Sequence, residues 1–191
     1  MFKTMLKKIV KTSPIPKYFI SVCTLIMIAM FSTNAFAVVP EIDKSYFTKH
    51  NFMFEKGRHV TTNYWRGELV PINSKVKVLA IGGKTMTVEY KGQIIKIKNI
   101  AKHTKKTIEQ IADNLLSATP VNVSGKFAKS IQFGEMRFGM TKQEVLMTRG
   151  YPPAHKTIST ESDRWIFWSS RFVQQTIIFE NGRLTQGRGL R

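Results

Sequence analysis

The sequence predicts an α+β fold in which a small β-barrel is followed by helices packed on a three-stranded antiparallel meander. Short polar and apolar alternations, broken by glycine-containing turns every eight to ten residues, fill residues 46–100. Two helix-start signatures follow, Thr107 with Gln110 and Thr141 with Glu144. The last third ends in aromatic, strand-like runs joined by an Asn-Gly turn.

Residues 1–37 read as a cleaved signal peptide. Lys3, Lys7, Lys8, Lys11 and Lys17 form a charged start without acids, and residues 20–31 make a 12-residue apolar run. Ala35 and Ala37 then place small side chains where signal peptidase needs them, so cleavage is expected after Ala37. A membrane anchor needs roughly 20 apolar residues, and here Ser32, Thr33 and Asn34 interrupt the run too early. Lipidation does not fit Cys23, the only cysteine, which lies near the start of the apolar run behind Val22. The expected location is therefore the periplasm.

The 154 residues after Ala37 contain no cysteine, so a hydrophobic core, not disulfides, has to hold the fold. Without the five leader lysines, 25 Lys and Arg stand against 12 Asp and Glu, a formal net charge of +13. Such a surplus favours anionic partners: lipid head groups, lipopolysaccharide, acidic glycan or an acidic protein face. Export argues against nucleic acid.

Residues 44–100 form the β-rich block. Strands are expected over 61–65, 75–81, 85–90 and 93–97, with turns at Gly67, at Gly82 and Gly83, and at Lys91 and Gly92. A period of two buries one face, and strands this short and twisted curl into a small barrel. The segment 67–73 (GELVPIN) resembles the loop of bacterial SH3-like barrels. Residues 101–129 follow as helix and linker. Thr107 and Gln110 form a capping box, and Ile108, Ile111, Ala112 and Leu115 share one helical face. Ser117 to Lys129 is a polar stretch containing Pro and Gly.

Residues 130–191 carry the sharper signals. The helix opened by the Thr141–Glu144 box stops at Gly150, and Tyr151, Pro152 and Pro153 bar its continuation. Strands are expected over 164–168 and 172–179, with a hairpin turn at Asn181 and Gly182. The pattern of Ile131, Gly139-Met140-Thr141, Glu144-Val145, Gly150 with Pro152, Trp165, Ile177-Ile178-Phe179 and Asn181-Gly182-Arg183-Leu184 resembles the SmpA/OmlA group, the BamE-type outer-membrane assembly factors. The resemblance implies two helices on a three-stranded sheet and work as a periplasmic adaptor. The chain departs from that group in lacking a lipobox cysteine and in carrying the β-rich block in front.

Catalytic signals are absent from the sequence. His50, His59, His103 and His155 do not stand at metal-ligand spacing, and no Gly-x-Ser-x-Gly elbow occurs. Glu161 and Asp163 beside Arg164 read as loop carboxylates balancing a local cation. Neither enzyme, cofactor nor metal is therefore expected. Strand alternation sends Trp165 and Phe167 to one face and Ile166 and Trp168 to the other. A docking surface is accordingly expected at Trp168 and Arg171, together with the rigid loop Tyr151, Pro152, Pro153 and His155. The functional expectation is a non-catalytic envelope adaptor contacting envelope proteins, linked to outer-membrane assembly or maintenance. The alternative is an anionic-glycan or lipid-binding module for peptidoglycan or lipopolysaccharide.

Overall fold

Alternation becomes a sheet in the first half of the chain. The computed structural model describes residues 40–190, and the expected leader with its cleavage point at Ala37 lies outside them. The strands are β1 (Ser45–Thr48), β2 (Phe52–Phe54), β3 (Arg58–Val60), β4 (Glu68–Val70), β5 (Lys75–Gly82), β6 (Thr85–Tyr90) and β7 (Gln93–Lys98). Val76, Val78, Met86, Val88, Ile95 and Ile97 alternate inward and are almost fully buried, while the intervening residues face out or sit at the margin. With the short β8 (Leu116–Ser117) the main sheet runs β3-β7-β6-β5-β1-β8, and β2 pairs with β4 separately. All these pairings are antiparallel except β3 with β7.

One expected strand is a turn. Residues 61–65 leave the sheet because Asn63 adopts a left-handed φ of 60°. The hydroxyls of Thr61 and Thr62 are engaged by Asn99 and His103 instead of lying along a ladder. The strand falls just before them, at β3. Sequence propensity favoured Thr and aromatic residues, but side-chain bonds to residues distant in the chain won.

Helix α1 (Ala101–Thr104) leads into α2 (Ile108–Leu115), whose capping box is formed: Gln110 N–H donates to Thr107 Oγ1 at 3.3 Å, and Thr107 N–H donates to Gln110 Oε1 at 2.9 Å. Ile108, Ala112 and Leu115 of α2 complete the first hydrophobic cluster, which Phe52, Phe54 and Val70 also enter. Each buried Ile, Leu or Phe there contributes about 1.5–3 kcal/mol relative to exposure.

The second half builds a separate cluster. Helices α3 (Ala128–Gln132) and α4 (Lys142–Arg149) pack on a meander of β9 (Arg164–Trp168), β10 (Gln174–Glu180) and β11 (Arg183–Gly187), in spatial order β11-β10-β9. Trp165, Phe167, Ile177, Phe179 and Leu184 face Ile131, Met140 and Val145 in this cluster. The expected inward set, Trp165 and Phe167, is the buried one. β10 begins at Gln174, two residues later than the sequence suggests, because Phe172 and Val173 belong to the turn, where Ser169 N–H donates to Val173 O at 2.9 Å.

The described residues belong to one compact unit, and asparagines stitch its two clusters together. Asn51, fully buried, donates through Nδ2 to the carbonyls of Ile131 and Thr148 and accepts through Oδ1 from Ile72 N–H. Asn63 Nδ2 reaches the Arg149 and Tyr151 carbonyls at 2.6 and 3.1 Å. Asn73 holds the linker by both amide groups, donating to Val121 O at 2.9 Å and accepting from Val121 N–H at 2.8 Å. Ile72, from the loop between β4 and β5, inserts into the second cluster.

Candidate functional site

Helix α4 ends at Gly150, with φ 70° and ψ −168°, a conformation that glycine alone takes readily. A Cβ there would stand 2.7 Å from His50 Nδ1, so the absent side chain lets the loop after α4 close onto the first half. Between that loop and α2 runs a cleft of about 330 Å³. Its apolar surface comes from Ile97, Ile111, Leu115, Pro152 and Ile158, and its polar groups are His50, His59, Asn63, Lys106 and Tyr151 with several hydroxyls. Among the described residues no carboxylate lines it.

Both cleft histidines are neutral. His50 Nδ1 donates to Asn51 O at 2.9 Å and His59 Nδ1 donates to Met53 O at 2.7 Å, the tautomer being required by the carbonyl acceptors. Burial pushes each down to about 4 from the ordinary 6.5. Burial also lowers the Lys106 ammonium and raises the Tyr151 phenol. Lys106 Nζ lies 5.3 Å from the Tyr151 ring centroid, and the same ring meets His50 edge-on at 5.9 Å. A shallower depression formed by Lys105, Lys106, His155 and Ile158 adjoins the cleft, so cations gather at this end.

Tyr151 is 39% exposed and lines the cleft as an accessible ring. Pro152 and Pro153 are buried: Pro152 forms cleft wall, and Pro153 O accepts the amides of Lys156 and Thr157 at 3.0 Å each, shaping the loop. His155 stacks between His103, at 4.3 Å, and Trp168, at 6.3 Å. Trp168 is half-buried, its backbone is bridged by Tyr64, and its Nε1 is enclosed with no partner among the described residues. Arg171 stands apart on the β9–β10 turn, over the Phe172 ring at 5.6 Å.

The structure thus joins Tyr151 and Pro152 to His50, His59, Lys106 and Ile158, which sequence reading did not select. Ile158 carried a legible signal: a lone aliphatic residue in the polar run 156–163, and it is 92% exposed. His50 and His59 carried none, since their partners are backbone carbonyls. Among the described residues no group of His, Cys, Asp or Glu converges as metal ligands, and no helix is long and apolar enough to cross a membrane. The arrangement can hold an apolar or aromatic group with a polar or anionic end toward Lys106.

Comparison with known proteins returned no matching family model, no matching curated protein and no matching solved structure.

Proposed function

We propose that this chain is a non-catalytic, periplasmic adaptor of the cell envelope, reached by export, which captures an apolar side chain of a partner envelope protein in the cleft between α2 and the loop after α4. In this reading the first sheet is an SH3-like barrel and the second half a BamE-like domain, and the partner belongs to outer-membrane assembly or maintenance. The observation that carries the reading is the cleft: largely apolar, lined without carboxylates, and edged by the exposed Ile158 and Tyr151. Burial that lowers both histidines to about 4 makes them weak bases near neutral pH, which supports binding over acid–base chemistry.

Lys105 and Lys106 beside the cleft favour a second reading, an anionic lipid or glycan headgroup docked at the same end. The two separate by salt, since apolar anchoring survives it and surface charge pairing does not. The test is affinity capture of the full chain from solubilised envelope at low and moderate salt, beside an Ile158→Asp/Tyr151→Ala variant. Outer-membrane assembly proteins retained in salt and lost in the variant are the expected result. Capture of only salt-labile lipid or glycan would replace the adaptor reading with the second one.

A further inference from the structure

A cation is enclosed in the second half with no ion-pair partner among the described residues. Arg149, the last residue of α4, is 4% exposed. Its guanidinium carbon lies 4.1 Å from the Trp65 ring centroid and 5.3 Å from that of Phe167. Its Nε and Nη2 are buried and find no hydrogen-bond acceptor among the described residues. These two nitrogens form one edge of the guanidinium, with parallel N–H bonds spaced for two oxygens of a single carboxylate. Leaving both unused inside a protein is costly, and cation–π contact offsets only part of that cost.

Arg149 also lines a largely polar cavity of about 290 Å³, bounded by Trp65, Glu135, Arg137, Gln175 and Leu190. One wall is drawn tight at Gly134, where φ is 70° and a Cβ would meet Trp65 Cζ2 at 2.7 Å. Arg137 is neutralised by Glu135 in an ion pair, which leaves Arg149 as the uncompensated charge of the cavity. The cavity then carries one net positive charge, which a monoanion neutralises, whereas a dianion leaves an excess negative charge beside the Glu135 carboxylate. The guanidinium edge is closed to solvent, so a ligand reaches it only by displacing atoms of the cavity wall.

We propose that this cavity is a binding site for a monoanionic carboxylate, clamped by the Nε and Nη2 edge of Arg149 against the Trp65 ring. The site is separate from the cleft at Tyr151 and stands whether or not the adaptor reading holds. The carboxylate is supplied either by a free small acid or by an acidic side chain of a bound protein.

The test follows the Arg149 Nε–H resonance of the full chain by NMR while acetate, acetamide or inorganic phosphate is added, with Trp65 fluorescence read in parallel. Acetate is expected to move the resonance saturably and acetamide to leave it in place. Phosphate should bind several-fold more weakly than acetate, and Glu135→Gln should narrow that gap without touching the guanidinium. In Arg149→Lys the acetate-dependent fluorescence change should vanish. A second arm adds N-acetyl-glutamate methylamide: tighter binding than acetate assigns the site to a protein side chain, and weaker binding to a free acid. An Arg149 resonance indifferent to acetate, or equally sensitive to acetamide, overturns the proposal. Phosphate binding that Glu135→Gln leaves unchanged overturns the charge selection.

Discussion

His50 and His59 show how little a residue's identity says before its surroundings are known. Each donates Nδ1–H to a nearby carbonyl, and burial holds each down to about 4. In the unfolded chain they return toward 6.5, so between those values the unfolded state binds more protons than the native one. Stability is therefore complete above about pH 6.5 and is lost as pH falls toward 4, by on the order of 2–3 kcal/mol for each ring. Urea unfolding measured at steps across that window should show the fall, and His59→Asn, which keeps a donor near Met53 O, should remove about half of it. A slope unchanged by the substitution would assign the acid sensitivity to other groups. At the same scale, the isolated Ile158 was readable as an apolar residue out of place, whereas Arg149 carries no local signal of its burial. Its burial depends on Trp65, 84 positions earlier in the chain, and nothing local to either residue records their meeting.

Elements whose signals are local were the legible ones. The box at Thr141 forms as its residues demand: Glu144 N–H donates to Thr141 Oγ1 at 3.2 Å while Glu144 Oε2 accepts from Thr141 N–H at 2.7 Å. Thr141→Ala should lower stability by about 1 kcal/mol and Thr141→Ser by much less, read from the denaturant midpoint at constant slope. Equal losses would mean that the methyl group, not the cap, matters at this position. The turn at Asn181 and Gly182, with φ of 50° and 72°, and the turn at Lys91 and Gly92, with 48° and 78°, were visible for the same reason. They need left-handed residues in succession, and glycine marks the place. The strand expected at 61–65 failed on a non-local cause. Thr61 answers to Asn99 and Thr62 to His103, 38 and 41 positions away, and a propensity scale contains no term for either.

Across the whole molecule, the two hydrophobic clusters meet through polar hubs rather than through a continuous apolar core. Asn51 bonds to the backbone at Ile72, Ile131 and Thr148 from a fully buried position. Removing its amide leaves buried carbonyls and an N–H unpaired at about 1–3 kcal/mol each. Asn51→Ala should cost several of those kcal/mol and shift the tyrosine near-UV signal of the first half together with the tryptophan fluorescence of the second. Separate transitions in the native protein would show instead that the halves fold independently. The sequence by itself determined the α+β composition, the three-stranded meander with its inward Trp165 and Phe167, the capped helices and their stops, because period, caps and turns act over a few residues. The tertiary structure alone decided the asparagine seam, the cleft around Tyr151, the covering of Trp168 and the enclosure of Arg149. Each of these depends on groups dozens of positions apart whose contact is chosen by the packing of the whole chain, and no short stretch of sequence encodes it.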